Sequence, residues 1–255
     1  MERKQTYMLD IPIDCRSLDE LIDEAKDAVV KHDRFITFAC ANPHSIVTAQ
    51  HDEAFKSALY DAEQVVADGV GVLVMAKFAN LQIGPRITGC DYFLAIMNVM
   101  EQLGGKRVFF FGSSEHVLSL ISSQMALQFP KLVLCGMLSP PFGTWTTEVN
   151  EQMIESINSA KPDIVWVGMT APKQEKWVFE NRKRLCVPLI GSIGAVFDFF
   201  AGTYPRAPDW ACRFGIEWLY RLFKEPRRMW RRNLLSSPIF VIRVIWRHVF
   251  RQGKS

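Results

Sequence analysis

A parallel α/β sheet with helices on both faces is the fold this 255-residue sequence predicts, and three observations carry the expectation. Short apolar, β-branched or aromatic runs alternate with longer helical patterns, the order of strand–helix units in a parallel sheet. The runs are apolar at nearly every position, as strands buried on both faces are. Most of them end at Gly, Asn or Asp, residues suited to a turn from strand into helix. The expected class is Rossmann-like, with a helical, basic C-terminal appendage.

In chain order, residues 35–40 read as a strand and 43–60 as a helix. Residues 64–67 are a second strand running into Asp68-Gly-Val-Gly71. Asp91 is read as the N-cap of a helix that continues to Leu103. Residues 107–111 form a strand, Gly112-Ser-Ser114 the turn after it, and a helix runs on to Phe129. A strand at 132–135, a helix at 147–160 and a strand at 164–167 follow. Pro172 suits a first helical turn and opens a helix to Arg184, and residues 188–190 are the last strand. Ligands of such sheets bind beyond the carboxyl ends of the strands. The positions there are Asn42, Asp68, Gly112, Gly136, Gly168 and Gly191.

The totals bound the class. A hydrophobic content of 49% is ample for a sizeable core. Six scattered cysteines without a C-x-x-C pair argue against a zinc site or a disulfide framework and for a reducing cytosol. The charged N-terminus lacks a signal-peptide pattern. No uncharged stretch approaches a membrane span; the best candidate, 239–250, is interrupted by Arg243 and Arg247. G-x-G-x-x-G, Walker A, D-x-D and G-x-S-x-G motifs are all absent, and the five histidines show no metal spacing. His44 follows a strand, where it either faces the crevice or, as the preferred reading, is a helix-surface or capping residue.

A mildly basic total of +3 conceals a bipolar chain. Residues 203–255 hold twelve Lys/Arg against three acids, a balance of +9 that leaves the remaining 202 residues at −6. The same segment holds ten of the thirty aromatics, among them Trp210, Trp218, Trp230 and Trp246. Residues 216–235 pattern as a basic amphipathic helix, broken at Ser236-Ser-Pro238. Beyond it Arg243, Arg247 and Arg251 recur every four residues, opposite Ile242, Ile245, Trp246 and Val249. Arginines interleaved with aromatics fit an anionic membrane surface and also fit nucleic acid. The expected division is an α/β body over 1–202 and a basic amphipathic, membrane-docking appendage over 203–255.

Four constellations bear on chemistry. Asp68, at a strand end and followed by two glycines, is either a general base toward a hydroxyl or a helix N-cap. Arg86, in the glycine-bounded loop 84–91, is a phosphate or carboxylate clamp or, on its local sequence, a solvated loop arginine. Gly168, followed by Pro172, Lys173 and Gln174, offers backbone N–H groups and polar side chains to an anionic or polar ligand. Asp198, alone in an apolar, glycine-rich stretch, calls for a partner or a ligand such as a ribose hydroxyl.

Together these segments resemble the WecG/TagA/CpsF glycosyltransferases, family 26 of the sugar transferases. The likeness runs from about Phe35 to Arg232 and rests on many blocks in matching order. These are Ala41-Asn42-Pro43, 67–71, Arg86-Ile-Thr-Gly89, Gly168 with Pro172-Lys-Gln-Glu175, Gly194 with Asp198, Gly202 with Arg206-Ala-Pro208, and Glu217-Trp-Leu-Tyr-Arg221. The resemblance implies an inverting, metal-independent transferase without a cofactor. It implies transfer of a sugar from a UDP-sugar of N-acetylmannosamine, mannosaminuronate or glucose type to a polyprenyl-diphosphate-linked sugar. The product would serve bacterial surface polysaccharide synthesis, and the enzyme would sit peripherally on the inner face of the cell membrane, with 1–202 as its nucleotide-sugar-binding catalytic domain and 203–255 as an appendage that completes the active site. Oligomeric state is open in the sequence, with a homo-oligomer one alternative.

By the same resemblance Asp68 matches the general base, and Asn42, Arg86 and Gln174 match other active-site positions. Asp198 matches a residue near the nucleotide, and Arg221, Arg228 and Arg231 match arginines that close over the donor diphosphate. Cys40 departs from the family's usual Thr. The competing expectation is a Rossmann-like module with a nucleic-acid-binding tail.

Overall fold

The computed structural model describes residues 4–205, 207–208, 217–224, 230 and 235–252, with the side chains at 217, 221 and 250–252 outside that description. Arg228 and Arg231, and half of the helix expected over 216–235, therefore lie outside the described residues. Within that stretch Glu217–Lys224 is helical.

The chain begins with an antiparallel hairpin, β1 (Gln5–Met8) and β2 (Ile11–Asp14), which has no counterpart among the expected elements. Then come α1 (Leu18–Lys31), β3 (Ile36–Ala41), α2 (Pro43–Ala49), α3 (Glu53–Asp61), β4 (Gln64–Ala67) and α4 (Val70–Phe78). They continue with α5 (Gly89–Leu103), β5 (Arg107–Gly112), α6 (Glu115–Gln128), β6 (Val133–Leu138) and α7 (Thr147–Ser159). The body closes with β7 (Ile164–Gly168), α8 (Lys173–Asn181), β8 (Leu189–Ser192) and α9 (Val196–Ala201). Strands β3 to β8 form one parallel six-stranded sheet in the order β4-β3-β8-β7-β5-β6.

Alternate side chains of each strand enter opposite layers, which is why the strand sequences are apolar throughout. Val108 and Phe110 of β5 pack with α1, α5, α6 and α9, whereas Phe109 and Phe111 pack with α7 and α8. Ala39 and Ala41 of β3 and Val65 and Ala67 of β4 pack with α2, α3 and α4. Small residues at these positions let the helices that begin at the site lie close to the sheet.

Four expectations are corrected. The helix expected over 43–60 is two helices, because Asp52 caps a new start by accepting the Phe55 N–H. Asp91 is the third residue of its helix; the N-cap is Thr88, and the two form a capping box. The helix expected to reach Arg184 ends at Asn181 and tightens into a 3-10 turn, Arg182–Arg184. Gly136 and Gly191 lie inside strands, not after them, and make room for the rings of Phe109 and Trp166.

A C-terminal helix, Ser237–Gln252, lies against α2 and α4. Phe240 is fully buried and Val244 is 4% exposed, and burial of the phenylalanine contributes about 2 kcal/mol. Arg243 and Arg247 face the body: Arg247 pairs with Asp10, and an Arg243 Nη is 2.8 Å from His51 Nε2. The opposite side, with Ile239, Ile242, Ile245, Trp246 and Val249, is exposed. No helix among the described residues is long and apolar enough to cross a membrane.

Candidate functional site

Two neighbouring strand ends bring the first groups together. Asn42 follows β3 and caps α2: the Ser45 N–H donates to Asn42 Oδ1 (3.0 Å), and the Asn42 N–H donates to Ser45 Oγ (2.7 Å). The cap occupies Oδ1 and leaves the amide Nδ2 as the group able to meet a ligand. On the adjacent strand the Asp68 N–H donates to Ala41 O (2.9 Å), carrying the ladder one residue past β4. The next helix has Gly69 as its N-cap, without a side-chain cap bond. Gly69, not Asp68, is therefore the N-cap residue, and Asp68 lines a cavity with Asn42. A Cβ at Gly69 would fall 2.9 Å from Pro43 Cδ and 3.4 Å from Asn42 Cβ. Glycine thus serves the approach of the two loops to each other, not directly to a ligand.

Arg86 stands behind this pair. Its Nε donates to Asp68 O (3.0 Å), so the guanidinium is fixed to the backbone of the carboxylate's own residue. That answers the solvated-loop alternative: the cation is tied to the site, though it does not line the cavity.

Gln174, in the first turn of α8, is 5% exposed. Its Oε1 accepts the Met169 N–H (3.2 Å) and the Gly194 N–H (3.1 Å), and its Nε2 donates to Glu175 Oε1 (2.8 Å). Both acceptor positions of the amide oxygen are therefore taken by backbone from the loops after β7 and β8. Gln174 joins those loops, and buried Glu175 sets which way its amide points. Gly194 holds φ +55, a left-handed conformation that favours glycine.

The joined loops divide two adjoining cavities. The smaller, about 120 Å³, is lined by Asn42, Asp68, Gln174 and Glu175, with Cys40, Cys90 and His44. The larger, about 380 Å³, holds Gly168, Lys173 and Asp198, with Ser113, Ser114 and the loop from Pro140 to Gly143. Met169, Thr170, Gly194 and Ala195 belong to both walls. The larger volume is in the range of small-molecule sites, roughly 300–1,000 Å³. A roomier surface depression, about 610 Å³ and lined by Asp10, Glu53 and Tyr60 among others, includes no residue from the carboxyl ends of the parallel sheet and carries no such constellation.

Side chains in the larger cavity differ in freedom. Lys173 donates from Nζ to Gly143 O (2.8 Å) and sits 3.7 Å from the centre of the Trp145 ring. Partial burial holds its ammonium below the usual lysine value. Asp198 is half-buried in the first turn of α9. Gly168 has no space for a side chain, since a Cβ would meet the Phe197 ring at 2.4 Å. Phe142, on the rim, is 97% exposed although its loop is fastened on both sides, by Trp145 Nε1 donating to Pro141 O and by Lys173.

In the smaller cavity the Cys40 thiol is pushed well above the ordinary value. Burial is the main cause, and the charges of Asp68, Glu175 and Asp91 add to it. The sulfur is therefore a protonated neighbour of the carboxylates. His44 is a cavity-wall residue, not only a helix-surface one, and its Nδ1 lies 2.8 Å from Ser236 Oγ. Among the residues the sequence did not single out are Glu175, Ser236 and Phe142. Arg221 is on the described helix but its side chain is not described.

The family model described as glycosyl transferase WecG/TagA/CpsF matches residues 6–254. A Bacillus spizizenii protein named N-acetylglucosaminyldiphosphoundecaprenol N-acetyl-beta-D-mannosaminyltransferase is 30% identical over 205 residues, 80% of this chain and 77% of its own. Proteins of the same name from Bacillus subtilis and Staphylococcus aureus are each 27% identical. They cover 92% and 95% of this chain and 89% and 94% of their own lengths.

Proposed function

The chain belongs to the WecG/TagA/CpsF family of glycosyl transferases, and from that premise we infer that it moves N-acetylmannosamine from a UDP donor to N-acetylglucosamine on undecaprenyl diphosphate. The observation that carries this reading is the pair of adjoining cavities, with Asp68 in one and Asp198 in the other. The acceptor sugar's hydroxyl enters the smaller cavity and the nucleotide the larger. Asp68 takes the hydroxyl proton as the oxygen attacks the anomeric carbon. The bond to UDP breaks on the opposite side, so configuration inverts, and the electron pair leaves on the β-phosphate oxygen. Arg86 favours the ionised base from behind, and Asn42 Nδ2 holds a sugar hydroxyl.

Charge on the departing diphosphate requires cations, and such stabilisation is often the largest catalytic term. Lys173 is beside the larger cavity, and Arg221, Arg228 and Arg231 are the tail residues assigned to the same task. With no D-x-D motif in the chain, the reading is of transfer without a metal ion or cofactor.

The outward face of the C-terminal helix supports a seat at the cytoplasmic membrane face. Ile239, Ile242, Trp246 and Val249 recur at helical spacing and are exposed, as in helices that lie in a lipid interface. Since Arg243 and Arg247 face the body, the helix contributes apolar insertion more than attraction to anionic lipid. Vesicle binding through it would persist at about 0.5 M salt, where exposed charges are screened, and would weaken in Trp246→Ala.

The deciding experiment incubates the full-length protein with a panel of UDP-sugars and polyprenyl-diphosphate-N-acetylglucosamine, with and without chelator, followed by mass spectrometry of the lipid. One added N-acetylhexosamine, from the manno donor and unaffected by chelator, is expected. No lipid product from any donor, with salt-sensitive RNA or DNA binding instead, would support the nucleic-acid module.

A further inference from the structure

The two helices that begin at the site share a cover. α2 starts at Asn42 and α4 starts immediately after Asp68. The C-terminal helix lies against both, with Phe240 and Val244 in one cluster with Ile46, Val47 and Ala49 of α2 and Val72, Met75 and Ala76 of α4. Three of the five histidines, His44, His51 and His248, lie along this seam, the last against the Phe78 ring at 5.4 Å between centroids. At the end of the seam nearest the site, buried Ser236 meets the ring of His44, which is itself part of the wall holding Asn42 and Asp68.

We propose that Ser236 is a positioning residue that holds His44 in the wall of the acceptor cavity, making the C-terminal helix part of the catalytic geometry as well as a lipid contact. The proposal rests on the reading of the smaller cavity as the acceptor's seat. Its physical basis is that a bond at Nδ1 fixes the rotation of an imidazole, whichever partner donates. A ring on the first turn of α2 that lacks this bond would sample other rotamers and blur the wall against which the acceptor sugar is aligned. The tie comes from a residue 192 positions away in sequence, so it exists only while the C-terminal helix is docked. A helix whose outer face sits in lipid and whose inner face sets the acceptor wall would couple lipid seating to acceptor recognition.

The test is steady-state kinetics of the full-length protein with saturating donor and a short-chain, water-soluble polyprenyl-diphosphate-N-acetylglucosamine, so that vesicle binding plays no part. Ser236→Ala and His44→Leu should each raise the acceptor KM about 5–10-fold, the range of one lost hydrogen bond, with UDP affinity and melting temperature near wild type. The double variant should be no worse than His44→Leu alone, as expected of two residues acting through one contact. Ser236→Thr and His44→Asn, which keep a hydroxyl and a polar group at the Nδ1 position, should recover most of the loss. Additive effects, an unchanged acceptor KM or an equal loss of UDP affinity would overturn the proposal. Absence of wild-type turnover would overturn the acceptor reading and the proposal with it, whereas wild-type turnover with additive variants overturns the proposal alone.

Discussion

The two cavities share a wall and differ in almost everything else. The smaller one, about 120 Å³, gathers Asp68, Glu175, Asn42 and His44 around little free space. The larger one, about 380 Å³, combines glycine backbone with one carboxylate, one tethered lysine and an exposed aromatic rim. A tight wall of capped and tied side chains suits a reaction, where angstrom placement governs rate. A roomy wall with a single carboxylate suits recognition of a nucleotide. On the proposed reading, position along the sheet separates the tasks: chemistry at the β3 and β4 ends, binding beside β5 and β7, and Gln174 between them.

Substitutions in each cavity sharpen the contrast. Asp68→Asn removes the base while keeping the shape, and turnover should fall about 10³-fold in kinetics on saturating substrates. Gln174→Ala should cross the boundary, because it takes a shared acceptor from the Met169 and Gly194 N–H groups. Each deprived N–H costs about 1–3 kcal/mol, so thermal melts should show lost stability and kinetics should show both substrates binding worse. A Gln174→Ala enzyme damaged toward one substrate only would break the account of a joint. Asp198→Ala should weaken UDP binding about tenfold, the loss of one charge-assisted contact, with turnover at saturation changed less.

The smallest effect concerns Cys40. Burial and the nearby carboxylates raise its thiol well above the ordinary value, so it stays protonated at a pH where a free thiol ionises. Mass spectrometry after iodoacetamide at about pH 8.5, near the free-thiol value, should find Cys186 alkylated and Cys40 spared. The sign follows for stability. The contribution is whole below that pH, where folded and unfolded chains both hold the proton. It declines above it, as the unfolded thiol ionises first.

Much of this was legible in the sequence. Strands buried on both faces are apolar throughout, and the ends of such strands point to Asn42, Asp68 and Gly168. The local run around Asp68 left base and cap open, since Asp followed by Gly suits either; Gly69 as N-cap removes the N-cap reading and leaves the base as the proposal. The joint at Gln174 was not legible as such, because its partners come from loops after two different strands. The orientation of the C-terminal helix was hidden for another reason. Phe240 and Val244 on one side and Ile242, Trp246 and Val249 on the other make both faces apolar, and pattern alone does not say which is covered. Pairing of Arg243 and Arg247 with groups on the body settles it.

The most direct test of separate chemical and binding cavities is a calorimetric UDP titration of Asp68→Asn and Asp198→Ala beside the wild-type protein, with turnover recorded for each. The account predicts wild-type UDP affinity with collapsed turnover for Asp68→Asn, and a roughly tenfold loss of affinity for Asp198→Ala. Equal loss of UDP affinity in both variants, or undiminished turnover in Asp68→Asn, would contradict it.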